Sequence, residues 1–135
     1  QSIYEEKQVT LQVSLFDKKA YALIDRFWMK EAIANLLKNA AESSPRGGSV
    51  FLTLTSLSGG YELFIRDQGA GVPPEERDHI FDRYTERPKS NLNVGLGLSI
   101  SREVITRHGG TLVLMPPEES TGACFRIRLY ELPGK

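Results

Sequence analysis

From Val9 onward, Val9, Leu11, Val13 and Leu15 alternate with polar partners, the period-two pattern of a half-buried strand over residues 9–16. A short second strand is expected over residues 20–24, after the turn Asp17-Lys18-Lys19. Between Arg26 and Ser43 the period changes. Met29, Ile33, Leu36, Leu37 and Ala40 recur at three- and four-residue spacings, which predicts an amphipathic helix that Pro45, Gly47 and Gly48 terminate. Residues 50–57 and 61–66 flank Ser58-Gly59-Gly60 and predict a β-hairpin. A Gly/Pro-rich loop over residues 67–74 leads into a short helix over 75–81, and residues 82–94, almost without apolar periodicity, read as a mobile loop. Gly95-Leu96-Gly97 opens another helix running to about His108, with Gly109-Gly110 as its stop. Residues 111–115 and 123–130 close the chain as a second hairpin. The sum predicts an α+β two-layer sandwich, with helices on one face of a mixed, mostly antiparallel sheet.

Composition narrows the function classes. The chain has 135 residues, 40% of them hydrophobic, enough for one core and one domain. Lys+Arg and Asp+Glu both total 17, so no whole-chain positive field directs it to nucleic acid or an anionic membrane, and any polyanion must be held locally. The single cysteine, Cys124, and two distant histidines exclude an internal disulfide and a cysteine-based zinc site and favour a reducing compartment. No window approaches the ~20 apolar residues of a membrane span, so a soluble chain is expected.

Four segments carry candidate chemistry. At ~100° per residue, Glu31, Asn35, Asn39 and Glu42 share one stripe of the helix over residues 26–43, opposite the Met29/Ile33/Leu36/Ala40 face. A polar stripe is the ordinary outer side of an amphipathic helix. Asparagine is nevertheless a mediocre helix former, and two of them four residues apart can present amide oxygens to a hard cation such as Mg2+. Lys38 lies about 20° outside that stripe and is open between a phosphate contact and a solvated neighbour. Asp67-Gln68-Gly69-Ala70-Gly71 follows a strand: it is either a tight turn, or a carboxylate that accepts from a base's exocyclic amine while glycines let the backbone approach the ring. Gly95-Leu96-Gly97 stands at a helix start, where unpaired N–H groups favour phosphate, and Arg83, Arg87 and Lys89 precede it. Trp28, Met29 and Cys124 read as packing residues, and His79 and His108 as structural ones.

In this order the segments resemble the ATP-binding catalytic domain of bacterial two-component sensor histidine kinases, within the superfamily of gyrase, heat-shock chaperone and mismatch-repair ATPases. Glu31-Ala-Ile-Ala-Asn35-Leu-Leu-Lys-Asn39-Ala40 looks like the family's N box, Asp67-Gln-Gly-Ala-Gly71 its G1 box, Ile80-Phe81-Asp82-Arg83-Tyr84 its F box, and Gly95-Leu-Gly97-Leu98 its G2 box. The resemblance implies the Bergerat-type ATP-binding fold, with ATP and Mg2+ as cofactors. By position, Asn39 would ligate the metal and Asn35 would support the metal and phosphate site, with Lys38 beside them. Asp67 would read the adenine amino group, with Gly69, Gly71 and Val72 lining the base. Arg83, Tyr84 and Lys89 would act from a lid, and Gly95, Leu96, Gly97 and Leu98 would cradle the triphosphate. Asn35 stands where the superfamily's hydrolases place a glutamate base, and asparagine cannot take a proton, so efficient hydrolysis is not expected. Two departures are Asn93, where many relatives have glycine, and Glu42, a carboxylate where many have a basic or neutral residue.

The implied reaction is transfer of the γ-phosphoryl of ATP to a histidine, then to an aspartate of a response regulator. Neither His79 nor His108 sits in the family's acceptor pattern. The acceptor is therefore expected on a dimerisation domain before Gln1, with residues 1–8 as linker, an isolated domain that is monomeric, and a cytoplasmic location under a parent that is open to membrane anchoring. An anti-sigma-type serine kinase, or a nucleotide-binding signalling module without turnover, are the alternative readings.

Overall fold

The computed structural model describes residues 3–15, 25–82, 94–117 and 122–130. In chain order these form α1 (Ile3–Lys7), β1 (Thr10–Leu15), α2 (Arg26–Ser43), β2 (Ser49–Leu57), β3 (Gly60–Arg66), a 3-10 helix (Pro74–His79), α3 (Val94–Arg107), β4 (Thr111–Leu114) and β5 (Cys124–Tyr130). The five strands make one sheet in the order β1-β2-β3-β5-β4. Only β1 and β2 run parallel, with Leu11 opposite Val50, and α2 is the crossover between them. The mixed, mostly antiparallel sheet and the helix layer are those the hydrophobic pattern predicts. The strand expected over 20–24 and most of the loop expected over 82–94 lie outside the described residues.

Asp25 starts α2: its Oδ1 accepts from the N–H groups of Phe27 (3.1 Å) and Trp28 (3.2 Å). The buried side of α2 is Met29, Ala32, Leu36, Ala40 and Ala41. Ala32 lets α3 approach closely, and the buried Ser101 hydroxyl donates to its carbonyl at 2.8 Å. Val50, Ile65, Leu112, Phe125 and Ile127 fill the space between the helices and the sheet.

Four local expectations differ. Leu11 and Val13 are 37% and 53% exposed, because no described helix packs substantially on β1, whereas Leu112 on the opposite edge strand lies against α3 and is 1% exposed. Trp28 is 50% exposed, set edge-to-face against Phe27 on the outward side of the first turn of α2, while Met29 alone turns inward. The short helix expected over 75–81 is a 3-10 helix displaced slightly toward the N-terminus, Pro74–His79. Residues 3–7 are helical, and α1 ends at Gln8 in the left-handed region (φ 58°).

Candidate functional site

The segment after β3 turns back under the C-terminal end of α2. Asp67 is 3% exposed, and its Oδ1 accepts from the backbone N–H groups of Gly69 (2.9 Å) and Ala123 (3.0 Å). No described residue donates to its other oxygen. Gln68 joins the same frame: its N–H donates to Ser44 Oγ at 3.1 Å, and its Oε1 accepts from Ser49 N–H at 2.8 Å.

Two close approaches explain the small residues here. A Cβ on Gly69 would strike the Ser43 carbonyl, and one on Gly122 would strike Asp67 and the Gly69 nitrogen. Gly71 turns the loop with φ 85°. Gly69→Ala is accordingly expected to lower unfolding free energy by roughly 1–3 kcal/mol, read as a shift of the urea midpoint at unchanged m.

These residues surround a cavity of about 110 Å3, lined by Asn39, Ser43, Asp67, Gly71, Val72, Pro73, Glu76, Ile80, Leu98, Ala123 and Phe125. Its lining is polar and apolar in about equal parts. Its volume is below the roughly 300–1,000 Å3 of sites that enclose a whole small molecule, so it has room for only one end of such a ligand. Leu98 brings the first turn of α3 to the wall, and the N–H groups of Val94, Gly95, Leu96 and Gly97 are the first four of that helix, without partners inside it. A larger groove of about 460 Å3 lies at the other end of α2, between Asp25, Trp28, Ile100, Glu103, Val104, Arg107 and His108. Its lining is mainly apolar. The smaller cavity is the stronger chemical candidate because a buried carboxylate and an amide converge there.

Of the residues singled out by sequence, Asn39, Asp67, Gly71, Val72 and Leu98 meet at the cavity. Asn35 is half-buried one turn earlier on the same side of α2, about 6 Å along the axis. Lys38 is exposed, and neither it nor Asn35 lines the cavity. Gly69 packs against α2 and does not line it. The half-buried Glu42 also lies outside the lining, so its charge does not face the cavity directly. Arg83, Tyr84, Arg87, Lys89 and Asn93 lie outside the described residues. Ser43, Glu76 and Ala123 join the site without a sequence signal; Gly122, the glycine before a strand, is the one hint to the last of these.

The F-box residues anchor the far wall. Ile80 is 1% exposed, the Phe81 ring meets Phe125 edge-on at 6.0 Å, and the Arg102 guanidinium lies 4.7 Å from the Phe81 ring centre. His108 is fixed at both ring nitrogens, Nδ1 against the Val104 carbonyl (2.8 Å) and Nε2 accepting from Asp25 N–H (2.9 Å). His79 Nδ1 meets Asp82 Oδ2 at 3.1 Å.

Burial pushes the Asp67 carboxyl above the ordinary carboxylate range, against the lowering effect of the Gly69 and Ala123 N–H groups and of Arg66. The folded protein then holds this proton more tightly than the unfolded chain. Its contribution to stability is fully present below the unfolded value of about 3.9 and is lost as pH rises toward the folded value. In urea titrations across pH, the stability difference between the wild type and Asp67→Asn is expected to move against the wild type through that window.

Residues 24–133 match the family model described as Histidine kinase-, DNA gyrase B-, and HSP90-like ATPase. Signal transduction histidine-protein kinase/phosphatase MprB of Mycolicibacterium vanbaalenii is 42% identical over 91 residues, 65% of this chain and 19% of that protein. The chain thus spans between about a fifth and a third of the length of the curated relatives it matches. The solved structure of a mycobacterial sensor histidine kinase MprB superposes with a TM-score of 0.82 at 32% identity, covering 95% of this chain and 88% of that one. Histidine kinase ThkA, solved in complex with response regulator protein TrrA, shares the fold: TM-score 0.79, 22% identity, 98% of this chain and 37% of that chain.

Proposed function

Because the chain belongs to the histidine kinase-, DNA gyrase B-, and HSP90-like ATPase family, whose nucleotide is ATP, we propose that it is the ATP-binding catalytic part of a sensor histidine kinase, donating the γ-phosphoryl of ATP to a histidine on a separate dimerisation domain. The observation that carries this reading is the Asp67 carboxylate: one oxygen is held by two backbone donors, and the other has no described partner at the wall of a half-apolar cavity. An acceptor so fixed suits the exocyclic amine of adenine, with Val72, Ile80, Leu98 and Phe125 against the ring.

The triphosphate would then extend from the enclosed base toward the first turn of α3, where the N–H groups of 94–97 and the positive end of the helix dipole favour negative charge. Arg83, Tyr84 and Lys89 are proposed to complete the phosphate site, with Lys38 at its margin. Asn39 offers an amide oxygen on the cavity wall, the donor type that suits Mg2+ shared with phosphates and water, and Asn35 would support it from the adjacent turn. When bound, the metal would offset phosphate charge. The residues named bind, orient and neutralise; none is a general base, in keeping with phosphoryl transfer by positioning and electrostatics. In the transfer, the bond from the γ-phosphorus to the β–γ bridging oxygen breaks, a bond to an imidazole nitrogen forms, the imidazole proton is released, and ADP leaves.

The chain's two histidines are His79, against Asp82, and His108, held at both nitrogens, so the acceptor is proposed to lie on another domain. A response regulator is the proposed final acceptor, as TrrA is bound by ThkA. No described helix is long and apolar enough to cross a membrane, and a cytoplasmic site of action is proposed because the proposed reaction consumes ATP. The test is a two-component assay: the chain, Mg-ATP labelled at the γ-phosphoryl, and the parent's dimerisation domain. Acid-labile, base-stable label on that domain is expected. ATP binding without any such label would contradict the kinase reading and favour a binding module, and label on serine of a partner would favour a serine kinase.

A further inference from the structure

The short helix α1 grips the turn of α2 that borders the cavity. The half-buried Lys7 ammonium donates to three carbonyls at the end of α2, those of Ala41 (3.1 Å), Glu42 (3.0 Å) and Ser44 (2.5 Å), so all three of its donors are used; the Ala41 carbonyl also accepts from Ser44 N–H at 3.3 Å. Tyr4 adds a bond from its hydroxyl to the Leu37 carbonyl at 2.6 Å. The backbone is tied as well: Gly47 N–H donates to the Lys7 carbonyl at 3.1 Å, and Arg46 donates to the Glu6 carbonyl at 3.1 Å.

The opposite side of the same turn builds the site. Ser43 lines the cavity, and its carbonyl abuts Gly69. Ser44, 1% exposed, accepts from Gln68 N–H through its Oγ while its carbonyl accepts from Lys7. One ammonium therefore holds the carbonyls of Glu42 and Ser44, and the Ser43 peptide between them sets where the Asp67-Gln68-Gly69 segment rests. The negative field of Asp67, after burial, also helps push the Tyr4 hydroxyl up to about 12, which places α1 within electrostatic reach of the cavity.

We propose that Lys7 is a positioning residue for the nucleotide site, clamping α1 onto the end of α2 so that occupancy of the Asp67 cavity and anchoring of α1 are coupled. This rests on the reading of that cavity as the ATP site. The coupling is reciprocal: ATP tightens α1, and release of α1 weakens ATP.

The test uses the chain itself at a temperature where each variant is fully folded by near-UV circular dichroism. Lys7→Met keeps the aliphatic stem and removes the three bonds; its Kd for Mg-ATP is expected to rise about 10-fold. Lys7→Arg keeps the charge and part of the contact and is expected within about threefold of the wild type. In the wild type, saturating Mg-ATP should slow amide hydrogen exchange at residues 3–9 as well as at 67–72; in Lys7→Met it should protect 67–72 alone. ATP binding by the wild type with no protection of residues 3–9, or a Lys7→Met Kd equal to the wild type with only a lowered Tm, overturns the coupling and leaves the ATP reading intact. Absence of ATP binding by the wild type overturns the ATP reading and the coupling with it. The wild-type exchange pattern decides the matter even if Lys7→Met fails to fold.

Discussion

Asp67→Asn is expected to weaken ATP binding about 100-fold while the domain remains folded. Oδ1 accepts from the Gly69 and Ala123 N–H groups. An asparagine must keep its carbonyl oxygen on those two donors, because turning its NH2 toward them would set donor against donor. Its NH2 is then fixed where the other carboxylate oxygen was, at the cavity wall, and an adenine amino group meets a donor instead of an acceptor. A lost hydrogen bond to a charged acceptor is worth about 1.5–3 kcal/mol, and a tenfold change in Kd about 1.4 kcal/mol, so roughly 2.7 kcal/mol gives the 100-fold figure. Calorimetric titration with ATP and with ITP checks the orientation as well as the size. The wild type should prefer ATP; in the variant the preference should collapse, because the 6-keto oxygen of hypoxanthine accepts from the new NH2. Equal losses for both nucleotides would show that Asp67 does not face the 6-position of the base.

The second large effect is expected at Asn39, whose side chain lines the cavity from α2. Asn39→Leu keeps the branching and the number of side-chain heavy atoms and raises helix propensity, so α2 should persist. What it removes is the amide oxygen. Affinity for ATP in the presence of a chelator is expected within about threefold of the wild type, whereas the gain in affinity on adding Mg2+ should vanish. Single-turnover transfer to the acceptor domain should fall more than about 100-fold, the scale seen when one preorganised group is removed from a transition-state site. Full retention of the Mg2+-dependent gain would remove Asn39 from the metal site.

Both arguments start from residues that were legible in the sequence, and the reason is local. Apolar positions at helical spacing and the Pro45, Gly47 and Gly48 stop fix Arg26–Ser43 before any contact is known, which places Asn35 and Asn39 on one side. The hairpin over 50–57 and 61–66 was legible from Ser58-Gly59-Gly60, and it carries Val50 and Ile65 into the core. The helix α1 was not legible: IYEEK is too short to show a period, and its order comes from Tyr4 and Lys7 bonding to residues more than 30 positions away. Ser43, Glu76 and Ala123 escaped for the same reason, since they reach the cavity only after α2, the 3-10 helix and β5 have packed. The glycine pattern was legible, but part of its cause was not. Gly69 is small because the end of α2 presses on it, and Gly122 because Asp67 does.

The most direct test of the account is a titration of Mg-ATP into the isotope-labelled chain, followed by backbone amide resonances. Saturable one-to-one binding is predicted, with the largest shifts at Gly71, Val72, Ile80, Leu98 and Ala123 around the Asp67 cavity. Absence of saturable shifts, or shifts centred on Trp28, Val104 and His108 at the other end of α2, would contradict it.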